Sequence, residues 1–136
     1  MIINQINNQI RFIDYIETYK KKYDKIFLLT QKSIIQHYPF MERLDINILI
    51  CREKEACKSI EEYETIIKKL STKHCNKKSL IIGMGGGAIT DLSGFVASSY
   101  MRGIKHVLIP TTLLGMVDAS IGGKTALNVN NVRNLI

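Results

Sequence analysis

The chain is 136 residues long, with 46% hydrophobic and 23% charged residues, which suits one globular domain and excludes disorder and a coiled coil. Its formal net charge is +7, but the lysines fall in short runs at predicted helix ends, so we expect a phosphorylated small-molecule partner rather than nucleic acid. The first residues lack a basic segment followed by an apolar run, and the most apolar stretch, 80–90, is too short to span a membrane. We therefore expect a soluble, cytoplasmic protein without a membrane partner.

The first half of the chain alternates helical and strand patterns. Apolar residues from Ile10 to Tyr19 recur at helical spacing and predict a helix from about residue 9. The short apolar runs 25–30 and 47–51 predict two buried strands, and residues 32–43 between them carry a weaker helical pattern that Pro39 interrupts.

A third helix is predicted to begin at a capping box. In the sequence Ser59-Ile-Glu-Glu62, the serine hydroxyl and the glutamate carboxylate each accept a hydrogen bond from an otherwise unpaired amide. Beyond this helix the patterns predict a strand at 79–84, a helix at 91–101, a strand at 106–110 and a helix at 111–120. Strands that are apolar on both faces and alternate with helices predict an α/β fold with a parallel, doubly wound (Rossmann-like) sheet.

A glycine-rich segment, GMGGGAITD at 83–91, joins a predicted strand to a predicted helix. Gly83, Gly85 and Ala88 satisfy the pattern G-x-G-x-x-[GA], in which missing Cβ atoms let backbone amides approach a pyrophosphate. The usual dinucleotide fingerprint follows the first strand and has an acidic residue about twenty positions later. Here the segment follows the third predicted strand and no acid stands at that distance, so we expect a pyrophosphate loop in a different α/β topology. Tight packing of the glycines is the alternative.

A second candidate motif, GGKT at 122–125, resembles the end of a phosphate-binding P-loop. The P-loop pattern G-x-x-x-x-G-K-[ST] needs a glycine where Asp118 stands, and the segment follows a predicted helix rather than a strand. We therefore exclude a P-loop and expect Asp118 and Lys124 to line a polar pocket and reach one ligand. Thr111 and Thr112 either cap the predicted helix that they begin or line the same cleft at a strand end.

No metal site is predicted in this chain. Cys51, Cys57 and Cys75 are spaced by six and eighteen residues, and no C-x-x-C pair is present. The three histidines are scattered. The spacings favour reduced thiols.

At this point the residues carry a family resemblance. GMGGGAITDLSGFVASSYMRG and IPTTLLGMVDASIGGKTALN resemble the N-terminal domain of the 3-dehydroquinate synthases, in the sugar-phosphate cyclase family. The dense part of the resemblance covers residues 79–136, and a looser part reaches back to 55–59. The run PTTLL-x-x-VD-x-S-x-GGKT is long and highly specific.

The resemblance implies an enzyme, a lyase of the shikimate pathway that leads to chorismate and the aromatic amino acids. It implies conversion of 3-deoxy-D-arabino-heptulosonate 7-phosphate, a phosphorylated seven-carbon keto-sugar, into 3-dehydroquinate and phosphate. NAD oxidises one carbinol transiently, which acidifies the neighbouring C–H bond so that phosphate is eliminated. The ketone is then reduced again, and the ring opens and closes by an aldol step. A divalent metal, Zn or Co, and a homodimer are also implied for the full-length enzyme.

The resemblance further implies site residues. Asp118 and Lys124 are implied to meet substrate and nicotinamide together, and Arg102, in a Tyr-x-Arg-Gly motif, to reach the substrate of the partner subunit in the dimer. These three are the implied catalytic residues. The implied cofactor-binding residues are Glu55, Lys58, Gly85, Gly86, Gly87, Ala88, Ile89, Thr90, Asp91, Thr111, Thr112, Asp118, Lys124, Arg133 and Asn134.

The sequence departs from the family pattern at three positions, in two places. Gln31 follows Thr30 where the family tends to have Asp or Asn, which alters an implied ribose or adenine contact. Near the end of the chain, a family Gly-Lys-Asn is replaced by Val132-Arg133-Asn134. Arginine keeps the charge but changes the hydrogen-bond geometry, and valine removes a flexible glycine.

The chain also ends before the family's metal ligands, a glutamate and two histidines in a helical second domain. We therefore interpret residues 1–136 as a truncated NAD-binding α/β domain that lacks the metal-binding C-terminal domain and is inactive alone. Two alternatives stay open. One is another sugar-phosphate cyclase or a metal-dependent polyol dehydrogenase, and the other is a non-catalytic nucleotide-binding module.

Overall fold

A four-stranded parallel sheet forms the centre of the protein. The computed structural model describes residues 2–111, with side chains from residue 10 onward. The strands are β1 (Ile26–Gln31), β2 (Asn47–Cys51), β3 (Leu80–Gly85) and β4 (Lys105–Pro110), and their order in the sheet is β2-β1-β3-β4. Every neighbouring pair is parallel, which confirms the predicted fold class.

Helices cover both faces of this sheet. They are α1 (Ile2–Lys22), α2 (Lys32–His37), α3 (Ile60–Thr72) and α4 (Gly87–Ser99), with short 3-10 turns at Pro39–Arg43, Lys54–Cys57 and Tyr100–Arg102. Within residues 2–111, none of the helices combines the length and the apolar character that crossing a bilayer requires.

The sheet separates two hydrophobic cores because successive side chains of a strand point to opposite faces. In β1, Phe27 and Leu29 pack in one core with α3 and α4, whereas Ile26 and Leu28 pack in the other with α1 and α2. All four side chains are almost fully buried. Since β1 is covered on both faces, both sets of its alternating side chains are apolar, which explains the continuous apolar run at 25–30.

Two helix starts differ by four residues or more from the sequence prediction. Helix α1 begins at Ile2 rather than near residue 9, and α4 begins at Gly87 rather than at Asp91. The glycines disfavour a helix by propensity, but Ile89 and Leu92 are fully buried in the core, and this packing outweighs the propensity. Half of the glycine segment is consequently the first turn of a helix.

The prediction of a capping box at the start of α3 is half correct. The Ser59 hydroxyl accepts a hydrogen bond from the Glu62 amide at 3.1 Å, as predicted. The Glu62 carboxylate instead accepts a hydrogen bond from the backbone N–H of Arg52 at 2.8 Å. Within the described residues, it accepts no hydrogen bond from the Ser59 amide. Since β2 ends one residue before Arg52, the carboxylate joins the helix to the sheet rather than closing the cap.

Candidate functional site

The strand order places a crevice beside the glycine segment. The chain passes from β1 to β2 on one side and then crosses to β3 on the other side of β1. Open α/β sheets bind ligands at the carboxyl ends of the strands where the order reverses, here between β1 and β3. Gln31 ends β1 and Gly85 ends β3, so the glycine segment lies at this point although it follows the third strand.

The three glycines of this segment that have described surroundings serve different purposes. A Cβ on Gly83 would lie 2.3 Å from the Ser93 Oγ atom, so Gly83 lets α4 pack closely on β3. Gly85 has a φ of +153° and its Cβ would meet Ile89 at 2.2 Å, so it serves the turn and the packing. A Cβ on Gly87 would meet no atom of the described residues within 4 Å. Of these three, Gly87 is the one without a close neighbour in the described part of the chain, as suits a residue in contact with a ligand.

The first turn of α4 contributes backbone amides at the switch point. The first N–H groups of a helix, here those of Gly87, Ala88 and Ile89, have no partner within the helix and form an anion-binding end. The Ile89 side chain is fully buried in the core, so only its backbone can contact a ligand. The buried Thr90 hydroxyl donates to the carbonyls of Gly86 and Gly87, each at 3.1 Å, and so stabilises the turn itself.

An ion pair joins this turn to the segment before α3. The Lys58 Nζ atom lies 3.0 Å from Asp91 Oδ2 and 3.9 Å from Glu55 Oε2. The Lys58 side chain is only 3% exposed, whereas Glu55 is 44% exposed. The structure thus brings Glu55, Lys58 and Asp91 together beside the glycine segment, although they are up to 36 residues apart in sequence.

The end of β4 completes the described part of the crevice. The Thr111 N–H donates to the Gly85 carbonyl at 2.9 Å, which places Thr111 next to the glycine turn. The other predicted site residues beyond it lie outside the described residues. These are Thr112, Asp118, Lys124, Arg133 and Asn134.

Comparison with known proteins decides the family. The sequence matches the profile of the 3-dehydroquinate synthase N-terminal family over residues 48–136. The chain belongs to this family.

A 3-dehydroquinate synthase from Dictyoglomus turgidum (strain DSM 6724 / Z-1310) is 43% identical over 124 residues, 89% of this chain and 34% of the relative. One from Alkaliphilus oremlandii (strain OhILAs) is 42% identical over 116 residues, 82% of this chain and 32% of the relative. The chain spans about a third of the length of these relatives.

Solved structures share the fold of the 3-dehydroquinate synthase N-terminal family. A 2-deoxy-scyllo-inosose synthase in complex with carbaglucose-6-phosphate, NAD+ and Co2+ has a TM-score of 0.75 and 24% identity, covering 85% of this chain and 34% of that one. A 2-epi-5-epi-valiolone synthase from Streptomyces hygroscopicus subsp. jinggangensis 5008, with NAD+ and Zn2+ bound, has a TM-score of 0.68 and 28% identity. It covers 82% of this chain and 33% of that one.

Arg102 of this family member lies away from the candidate site residues that the structure describes around the glycine turn. It follows the far end of α4, and 13 helical residues separate it from the glycine turn, which is roughly 20 Å at 1.5 Å per residue. Met101 and Arg102 both have left-handed backbone conformations, with φ of 49° and 67°, that non-glycine residues rarely adopt. The Tyr100 hydroxyl donates to the Cys75 carbonyl and the Lys77 ammonium to the Gly103 carbonyl, and these bonds stabilise the strained turn.

Two polar residues at the end of β1 have structural contacts that the sequence did not reveal. The buried Thr30 hydroxyl donates to the Met84 carbonyl at 2.8 Å and ties β1 to β3. The buried Gln31 side chain donates from Nε2 to the carbonyls of Arg52 at 2.8 Å and Lys54 at 3.3 Å. The sequence held one indication of these contacts, since Thr30 and Gln31 are the two polar residues at the end of an otherwise apolar strand.

The cysteines of this family member are free and buried, and burial raises the pKa of each thiol. For Cys57, burial together with the nearby Glu55 and Glu62 carboxylates raises the pKa to about 12. Among residues 2–111, no group of three or more His, Cys, Asp or Glu side chains is arranged to hold a metal ion. The described residues therefore do not fit a metal ion.

Proposed function

We propose that this chain is the NAD-binding part of a 3-dehydroquinate synthase, a lyase that releases phosphate from a phosphorylated seven-carbon keto-sugar. The observation that carries the proposal is the first turn of α4 at the switch point, where a Cβ on Gly87 would meet no atom of residues 2–111 within 4 Å and the Lys58–Asp91 pair lies beside the turn. Membership of the 3-dehydroquinate synthase N-terminal family supports the substrate class. NAD+ in two structural neighbours supports the cofactor.

The chain's own residues would bind and orient the dinucleotide. The amides of Gly87, Ala88 and Ile89 would donate to the pyrophosphate, and the missing side chain of Gly87 would allow its close approach. Glu55 would accept from ribose hydroxyls at the edge of the crevice, while Lys58 holds Asp91 and Glu55 in place. When bound, NAD supplies reversible hydride transfer.

Further residues are assigned by the same proposal. Asp118 and Lys124 would meet substrate and nicotinamide, and Arg102 would reach the site of a second subunit in a homodimer. The distance of Arg102 from the glycine turn of its own chain supports a role across a dimer. A cytoplasmic location is part of the proposal and is supported by three free, buried thiols, which suit a reducing compartment. Because the described residues do not fit a metal, no step is assigned to one.

Two experiments test the proposal. Calorimetric titration of NAD into the 136-residue chain should show saturable binding with one site per chain. A chimera in which this chain replaces the matched third of the Dictyoglomus turgidum enzyme should release phosphate from the keto-sugar phosphate. Binding without turnover in the chimera would favour the non-catalytic module. Turnover of a different sugar phosphate only would favour another cyclase. Absence of NAD binding to the 136-residue chain would refute the proposal.

A further inference from the structure

Gln31 lies where the first strand meets the candidate site. We propose that it is a positioning residue, whose amide holds the turn that carries Glu55 and Lys58 against the nucleotide crevice. The inference rests on the proposed NAD-binding function. It assigns Gln31 an indirect role, since its side chain contacts the protein backbone.

The geometry defines this role. The Gln31 side chain is nearly buried, and its single amide nitrogen reaches the carbonyls of Arg52 and Lys54 at 2.8 and 3.3 Å. These carbonyls flank the passage from β2 into the 54–57 turn. Lys54 has a φ of +50°, a conformation that costs free energy for a non-glycine residue and persists where neighbouring contacts hold it. The two amide hydrogen bonds are such contacts.

The held segment leads directly to the candidate site. Glu55 lies in the 54–57 turn and Lys58 follows it, with its Nζ atom 3.0 Å from Asp91 in the first turn of α4. A shift of the turn would therefore move the Glu55 carboxylate and the Lys58 ammonium together, relative to amides that α4 holds fixed. Contacts across about 3 Å are sensitive to such a shift.

The chemistry of the position also favours an amide. Two carbonyl oxygens face the Gln31 side-chain nitrogen, so the side chain has to donate two hydrogen bonds. An ionised carboxylate can only accept. A carboxylate of the same shape would therefore place like partial charges together in a buried place and release the turn.

The test uses calorimetric NAD titration of the 136-residue chain and its variants. Gln31→Met keeps the shape and removes both donors, and we expect it to weaken NAD binding about tenfold. Gln31→Glu, which cannot donate when ionised, should do the same. Gln36→Met is the matched control, since Gln36 is exposed on α2, and it should leave the affinity within about twofold.

A double-mutant cycle separates positioning from a general effect on the fold. In a Glu55→Gln background, Gln31→Met should weaken NAD binding by only about threefold, because part of the contact that it positions is already lost. The same tenfold loss in both backgrounds, no loss in either, or unfolding of both Gln31 variants by circular dichroism would overturn the positioning role. If the parent chain fails to bind NAD, the proposed function itself fails and the positioning role fails with it.

Discussion

Lys58 and Asp91 form an ion pair that links two segments far apart in sequence. Their charged atoms lie 3.0 Å apart, and the lysine is buried while the aspartate keeps a quarter of its side chain exposed. The pair fixes the turn before α3 to the first turn of α4. Because an ammonium in a buried place is costly without a counter-charge, the Asp91 carboxylate helps to keep Lys58 charged in its buried position.

Loss of the Asp91 charge should therefore destabilise the fold. We expect Asp91→Asn to lower the free energy of unfolding by about 1–3 kcal/mol, since the buried Lys58 keeps a hydrogen-bond acceptor but loses the carboxylate charge 3.0 Å from its Nζ atom. Urea unfolding followed by circular dichroism measures this change.

An exposed pair on α3 gives the control. Glu64 and Lys68 also lie 3.0 Å apart but are 62% and 73% exposed, so Glu64→Gln should change the free energy of unfolding by less than about 0.5 kcal/mol. Equal effects of the two substitutions would show that burial of Lys58 adds nothing to the pair.

The glycines should separate binding from folding. Gly87→Val should weaken NAD binding at least tenfold, more than about 1.4 kcal/mol, because the new side chain adds bulk at the helix end that carries the proposed pyrophosphate-binding amides. The far-UV circular dichroism spectrum should keep its α/β shape, since the added Cβ meets no atom of residues 2–111 within 4 Å. Retained binding would make Gly87 an ordinary helix residue and refute the cofactor site.

Gly83→Ala should instead lower the stability of the fold without abolishing NAD binding. Its Cβ would lie 2.4 Å from the Ser93 Cβ, which no rotation of the serine can relieve, so α4 has to move away from β3. We expect a loss of about 1–3 kcal/mol in the free energy of unfolding, measured with urea. At NAD concentrations that saturate the folded fraction, binding should persist.

The different roles of Gly83 and Gly87 show which features can be predicted from the sequence and which cannot. The apolar runs and their spacing predicted four strands and the α/β class, because burial on both faces of a sheet leaves a clear pattern in one chain. The pattern G-x-G-x-x-[GA] did not reveal that Gly83 packs against Ser93 while Gly87 has no close neighbour among the described residues. That difference depends on where α4 lies on the sheet, and Ser93 is ten residues further along the chain.

The buried thiols predict a loss of stability at high pH. In the folded chain burial raises the pKa of Cys57 from 9.0 to about 12, so between these values the folded thiol stays neutral while the unfolded thiol ionises. The unfolded state then binds fewer protons, and the free energy of unfolding falls as pH rises, by up to about 1.4 kcal/mol per pH unit for this group. Below pH 9 this contribution is fully present.

Comparison with Cys57→Ala isolates the group. Between pH 9 and 12 the variant should lose stability less steeply than the parent, whatever its stability at pH 7. Identical slopes would contradict a raised pKa at Cys57. At pH 8 a thiol reagent should label the folded parent far more slowly than the urea-unfolded chain.

The site was harder to predict from the sequence than the fold. Family resemblance named Glu55, Lys58 and Asp91, and the structure brings them together, but neither spacing nor hydropathy placed a buried lysine between two carboxylates. Gln31 was noted only as a departure from the family pattern. Its bonds to Arg52 and Lys54 depend on the neighbouring position of β1 and β2, which a single sequence does not show.

Lys124 provides the test of catalysis. In the proposed enzyme its ammonium donates toward charge that develops on the substrate, and such donors are worth several kcal/mol where water is excluded. In the chimera with the Dictyoglomus turgidum enzyme, Lys124→Ala should therefore lower the rate of phosphate release at least about hundredfold. Lys68→Ala, which removes an exposed lysine from α3, should stay within about twofold of the parent. A parental rate for Lys124→Ala would make Lys124 a surface charge and remove it from the proposed catalytic residues.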